Sequence, residues 1–191
     1  LSGYLEISED LTDSEELLGL IEKEKKTADT IHRQILFTRD YQTIGVQSPI
    51  WQDLEATISR AASLFDTGSV SISIDLGNLE IFADPLLEKV FFNLIDNSLR
   101  YGRNLSLISF VLEDLDGGKV LVCSDNGGGI PPEEKENIFN RKYFNNTGFG
   151  LFLSREILSI TSLSISETGV YGTGARFEIG IPAGGIRFST G

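Results

Sequence analysis

The stretch FFNLIDNSLRYG, Phe91 to Gly102, constrains this chain more than any other. Asparagine is a poor interior helix former, because its amide competes for the backbone. Yet Asn93 and Asn97 stand four residues apart, so they share one side of a helix. Arg100 and Tyr101 reach that side a turn later, while Phe92, Ile95 and Leu99 face the other way and read as core. The helix therefore buries one side and presents an amide, amide, cation stripe on the other.

What surrounds it fixes the fold class. SVSISIDL and LEIFAD alternate like strands and are separated by Gly77-Asn78, which predicts a hairpin. The asparagine helix follows, opened by Asp84 and Pro85. LSLISFVLED and GKVLVCSD are two further strands, joined across Asp116-Gly117-Gly118. A second helix is expected over about residues 150–161, with Leu151, Ile157 and Leu158 inward. LSISET and ARFEIGIP are the last strands, and AGGIRFSTG reads as a loose tail. Helices on one face of a largely antiparallel sheet give an α+β fold, a two-layer α/β sandwich.

The chain has a different character before Gly45. Residues 11–44 read as one long N-terminal helix, with Leu17, Ile21, Glu24, Ala28, Ile31, Ile35 and Thr38 in alternating four- and three-residue steps. Such a narrow seam cannot bury itself and needs a partner helix. Gly45 ends this helix, and SPIWQDLEATISRAASLF starts another, with Ser48 as cap and Pro49 in the first turn. The expected division is 1–45 for the helical region and 46–191 for the mixed domain.

The formal net charge of -12 over 191 residues argues against nucleic acid or an anionic membrane as a general partner. Cys123 is the only cysteine, so no intramolecular disulfide can form, which suits a reducing, cytoplasmic compartment. Its strand context predicts a buried thiol. No apolar run approaches the roughly 18 residues of a membrane span.

The chemistry sits at the ends of these elements. In SDNGGGIPP, Asp125 places a carboxylate at a strand end, and the glycines after it would let a ligand approach the backbone. A dinucleotide-binding motif fits poorly, because Pro131-Pro132 follows where a helix should open. In NNTGFGLFLSREI, Gly148 and Gly150 lead into a helix, whose free backbone N–H groups suit phosphate. In GTGARFEI, Gly172 and Gly174 mark a tight turn into a strand, a structural role on which contact by Thr173 is left open.

The order of these elements is the specific signal. Asn-x-x-x-Asn on a helix, Asp-x-Gly-x-Gly, Gly-x-Gly opening a helix, then Gly-x-Gly before a strand resembles the ATP-binding domain of sensor histidine kinases. That domain shares its fold with DNA gyrase B subunits, heat-shock chaperones and MutL-type repair proteins. The resemblance covers about residues 50–182. Asn93 and Asn97 match the asparagine box, and Asp125, Gly127 and Gly129 match the adenine-binding motif. Phe139 and Phe144 resemble the phenylalanine-bearing lid, Gly148 and Gly150 the phosphate-binding motif, and Gly172 and Gly174 the last glycine box.

The resemblance implies ATP and Mg²⁺ as cofactors. Asn97 would offer its side-chain oxygen to Mg²⁺, and Asn93 would support the same network. Arg100 would contact phosphate, Tyr101 would pack beside the nucleotide, and Asp125 would accept from the adenine amino group. Nucleotide contacts would extend to Ile130 and Phe144, to Thr147 and Phe149, and to Leu151 and Thr173. In related ATPases a glutamate stands at the position of Asn93 and activates water; asparagine cannot do so, which favours transfer to a separate histidine. The implied partners are a response regulator receiver domain, a second copy in a homodimer and an upstream sensor domain.

The long helix fits the second helix of the family's dimerisation and phosphotransfer hairpin. His32 is the only histidine, but Arg33 follows it where the family has an acidic residue. The acceptor is therefore expected upstream of Leu1, and this chain alone is expected not to autophosphorylate. Two departures stand out. The lid between Phe139 and Gly148 is short, and Asn146 and Phe149 replace the usual glycine and leucine.

Overall fold

The computed structural model describes residue 12 and residues 14–115, 118–140 and 149–189. The chain divides into two compact units, one ending at Gln42 and one beginning at Thr43. In the first, helix α1 runs from Glu15 to Thr43. Thr27, Thr30 and Thr38 bond their hydroxyls back onto the carbonyls four residues earlier. Along its seam, Leu17, Ile31 and Ile35 are exposed, and Ile21 and Ala28 are half-buried.

The second unit contains β1 (Ile50–Asp53), α2 (Leu54–Ala62), β2 (Ser71–Asp75), β3 (Leu79–Ala83) and α3 (Leu87–Tyr101). These are followed by β4 (Leu107–Leu115), β5 (Gly118–Asp125), α4 (Phe149–Ser159), β6 (Ser164–Glu167), β7 (Arg176–Ile181) and β8 (Ile186–Phe188). A five-stranded sheet in the order β2-β4-β5-β7-β6 is antiparallel except where β2 runs parallel to β4. A second sheet has the order β1-β3-β8. This is the expected α+β sandwich, preceded by the expected long helix.

Period-two alternation builds the core face of the larger sheet. Phe110 of β4, Cys123 of β5 and Phe177 of β7 stand in register across three strands, and all three are buried. On α3, Leu87, Val90, Phe91, Leu94, Ile95 and Ser98 are buried at helical spacing. Phe91 meets Phe110 edge-on at 6.0 Å, joining this helix to the sheet. The buried stripe is thus rotated from the expected one: Ile95 is fully enclosed, but Phe92 and Leu99 are only half-buried. Phe92 instead stacks on Phe65 at 4.7 Å.

Three further expectations are corrected. SPIW does not open a helix: Ile50–Asp53 is a strand, and Asp53 is the cap, accepting from the Ala56 N–H at 2.7 Å. β2 and β3 are strands but not a hairpin. β2 pairs with β4, and β3 pairs with β1, so that Leu79, Ile81 and Ala83 are buried. The tail is not loose, because Ile186–Phe188 pairs antiparallel with β3.

Candidate functional site

Strand alternation also decides where Asp125 points. Leu121, Cys123 and Asp125 are two apart on β5, so the carboxylate continues the core face and lies beneath α3. There Ser98 donates its hydroxyl to Asp125 Oδ2 at 2.7 Å. The Gly127 and Ala175 amides donate to Oδ1 at 2.9 and 3.0 Å. Three donors hold a carboxylate at the end of a buried strand, where its orientation is fixed before any ligand arrives. Cys123, two residues back, is fully enclosed; burial, reinforced by the Asp125 charge, pushes its thiol pKa far up, so it is not a nucleophile.

Asp125 opens onto a cavity of about 350 Å³. Asn93, Asp96, Asn97, Ser98 and Tyr101 of α3 form one wall. Gly129, Ile130, Pro131, Glu134 and Ile138 form a second, and Gly150 and Leu151 of α4 and Ala175 and Phe177 at β7 also line the cavity among the described residues. The opening turn of α4 therefore lies on the cavity at Gly150 and Leu151.

The two asparagines do different things. Asn97 donates its Nδ2 to the Asn93 carbonyl at 2.8 Å, which leaves its Oδ1 as the available end of the amide. Asn93 is buried and donates its Nδ2 to the Gly150 carbonyl at 2.9 Å and to Ser154 Oγ at 3.1 Å. It thereby ties α3 to the start of α4. A Cβ at Gly150 would lie 3.2 Å from the Asn93 amide, a tight contact that the amide would have to yield to by a few tenths of an ångström.

Two of the glycines after Asp125 also answer packing demands, and Gly129 is one of them while lining the cavity. A Cβ on Gly127 would lie 2.7 Å from the Gly102 Cα, and one on Gly129, at φ +66, would lie 2.8 Å from the Val170 carbonyl oxygen. Both directions lead into protein.

Other expected residues fall away from the wall. Arg100 is half-exposed and pairs with Asp96 at 2.7 Å, an interaction that raises its already high pKa, and Asp96 rather than Arg100 lines the cavity. Thr173 is exposed, with its amide donating to the Val170 carbonyl. Phe149 begins α4 half-buried, outside the lining. Phe139 is core rather than lid, buried edge-on against Phe177 at 6.3 Å. Phe144, Thr147 and Gly148 lie outside the described residues.

Sequence reasoning missed Ser98, Asp96, Glu134, Ile138, Ala175 and Phe177. Only Ser98 carried a signal: a hydroxyl in the buried stripe of α3 needs a partner, and the nearest polar strand end is Asp125.

Residues 83–185, just over half the chain, match the family described as histidine kinase-, DNA gyrase B-, and HSP90-like ATPase. The chain is 30% identical over 105 residues to the sensor protein SrrB of Staphylococcus aureus, an alignment covering 50% of this chain and 18% of SrrB. This chain thus corresponds to under a fifth of that relative's length. Full-length ShkA, solved in complex with AMPPNP, superposes over 99% of this chain and 43% of its own, with TM-score 0.69 and 18% identity. The catalytic domain of histidine kinase ThkA superposes over 71% of this chain and 98% of its own, with TM-score 0.61 and 25% identity. The asparagine helix, the strand-end aspartate and the opening turn of α4 all fall inside the matched residues, and the chain belongs to the histidine kinase-, DNA gyrase B- and HSP90-like ATPase family.

Proposed function

We propose that the cavity binds magnesium-complexed ATP, and that the protein is the catalytic part of a two-component sensor histidine kinase. The observation that carries this reading is the fixed Asp125 carboxylate on the cavity wall. Its Oδ1 is occupied by two backbone amides, whereas among the described residues Oδ2 receives only the Ser98 hydroxyl and keeps an acceptor position. The exocyclic amino group of adenine is a matching donor; guanine would bring a carbonyl oxygen there and be repelled. That ShkA, similar in fold, was solved with AMPPNP supports an adenine nucleotide as ligand.

The donor set fits magnesium. Among the described residues, no three His, Cys, Asp or Glu side chains group as a metal site. Asn97 offers one neutral amide oxygen, and magnesium commonly keeps waters and completes its shell with substrate phosphates. When bound, it would neutralise charge on the phosphate oxygens.

The chain's own contribution is positioning. Asp125 would fix the base, Gly150 and Leu151 in the opening turn of α4 would lie against the phosphates, and Asn97 would hold the α3 side. Asn93 cannot accept a proton from water, and its amide nitrogen is committed to Gly150 and Ser154. This supports transfer of the γ-phosphoryl group to an imidazole on a dimerising helical region over hydrolysis. His32 is not that acceptor, since Arg33 follows it. The phosphohistidine would pass its group to an aspartate of a response regulator, under control of a sensor domain.

Phosphate release from ATP tests the choice of reaction. The expected result is no steady release without an acceptor, and no acid-labile phosphate on His32 after incubation with labelled ATP. Sustained hydrolysis would identify an ATPase instead, and labelling of His32 would overturn the assignment of the acceptor.

A further inference from the structure

We infer that a buried ion pair, Lys135–Glu167, positions the cavity wall formed by residues 129–138. This rests on the nucleotide reading of the cavity. Glu167 ends β6 on the core side, and its side chain is completely enclosed, with 0% exposure. Its Oε1 accepts from the Gly169 and Arg176 amides at 3.0 and 3.1 Å. Its Oε2 receives no conventional hydrogen bond, and the Lys135 ammonium at 2.8 Å is its counter-charge. Lys135 also donates to the Gly169 carbonyl.

The geometry makes this pair a tie between two stretches of chain that both reach the cavity. One begins at Gly129, contributes Ile130, Pro131, Glu134 and Ile138 to the wall, and carries Lys135 between the last two. The other runs from Glu167 through Gly169 to Ala175 and ends on the cavity beside Asp125. At its near end, the first stretch is already pinned to the second. The Gly172 amide donates to the Gly128 carbonyl at 2.8 Å, and Gly129 packs against Val170 and Gly174. At its far end the stretch is anchored by Phe139, buried against Phe177 and accepting from Arg155 through its carbonyl at 2.9 Å. Lys135 fixes the segment between these two ends, five residues beyond Ile130 and beside Glu134 on the wall.

Stability alone is a poor reason for such a pair. Desolvating two charges consumes much of their attraction, and an apolar pair of similar volume often does as well. What the ions add is direction, because the ammonium must meet both the carboxylate and the Gly169 carbonyl. Lys135 and Glu167 are thus positioning residues, acting through the backbone that carries Ile130, Glu134 and Ile138.

The test compares the unaltered protein with Lys135→Met, Lys135→Arg and Glu167→Gln. Ile58→Ala, a core change in α2 outside the cavity wall, controls for lost stability. Calorimetric titration with Mg-AMPPNP and amide hydrogen exchange are read on each. Lys135→Met should weaken binding by about tenfold or more, and Lys135→Arg should restore it to within about threefold. Exchange over residues 130–139 should accelerate in Lys135→Met and Glu167→Gln but not in Ile58→Ala. If Lys135→Met does not fold, Glu167→Gln keeps an acceptor for both amides and carries the same two expectations. Binding unchanged in the Met and Gln variants, or weakened equally in Ile58→Ala, overturns the inference. An unaltered protein that binds no nucleotide overturns the nucleotide reading and this inference with it.

Discussion

Asp125 concentrates the case at the scale of single residues. It satisfies the Gly127 and Ala175 amides while keeping an acceptor turned to the cavity. Replacement by alanine would orphan both amides, at about 1–3 kcal/mol for each unsatisfied group, and so mix folding with binding. Asparagine keeps an oxygen for the amides and replaces the ligand-facing acceptor with a donor. Asp125→Asn should therefore retain most of the thermal stability and lose adenine nucleotide affinity by at least about tenfold. Thermal melting read beside a titration checks both halves, and full affinity in a folded variant would remove Asp125 from the base site. The aspartate was legible in the sequence because a carboxylate ends a strand beside glycines. Its orientation was not, because that depends on Ser98 and Ala175, one on a helix and one about fifty residues further on.

Among the elements, α3 and α4 are joined by Asn93. Asn93→Ala deletes two hydrogen bonds and leaves the Ser154 hydroxyl without that buried donor, so a loss of about 1–3 kcal/mol is expected in urea melts. A change near zero would mean the amide does not hold the helices together. Across the outer face of the sheet, Arg176 of β7 bonds Glu113 of β4 at 2.7 and 3.1 Å and Glu178 at 2.9 Å. The Arg176 hydrogen bond holds Glu113 below its ordinary pKa. Glu178 is also lowered: burial works to raise it, and bonds from Arg176 and Thr168 overcome that. Depressed carboxylate values stabilise the fold above the unfolded-state pKa of about 4.3 and lose that contribution as pH falls through the folded values. Arg176→Gln should therefore cost stability near neutrality, and its difference from the unaltered protein should narrow below about pH 4.3. Denaturant melts at several pH values measure this, and a difference independent of pH would contradict it. Alternation made β2 to β7 legible as strands, whereas β1 read as the start of a helix, and the pairing of β2 and β3 was not legible. Gly77-Asn78 has hairpin chemistry, yet β3 pairs with β1 and β8 rather than with β2, and Leu79, Ile81 and Ala83 are buried on that second sheet. β8 itself has three residues, too few for a periodic signal.

At the scale of the molecule, the chain carries a net charge of -12, and its cavity is lined by Asp96, Asp125 and Glu134 without Lys or Arg among the described lining residues. A free triphosphate should be repelled by such a wall, and its magnesium complex should be accepted through Asn97. Asn97→Ala should thus abolish the advantage of magnesium while leaving adenine recognition intact; equal tightening by magnesium in that variant would place the metal elsewhere. The exposed seam of α1 belongs to the proposed dimer, and the α+β unit from Thr43 onward holds the whole described cavity wall. This wall would select adenine through Asp125 and accept the phosphates as their magnesium complex through Asn97. Calorimetric titration of the unaltered protein with ATP and with GTP, each with and without magnesium, tests it most directly. Saturable one-to-one binding of ATP, tightened by magnesium, is expected, with GTP weaker by at least about tenfold. Absence of ATP binding, or equal affinity for GTP, would contradict it.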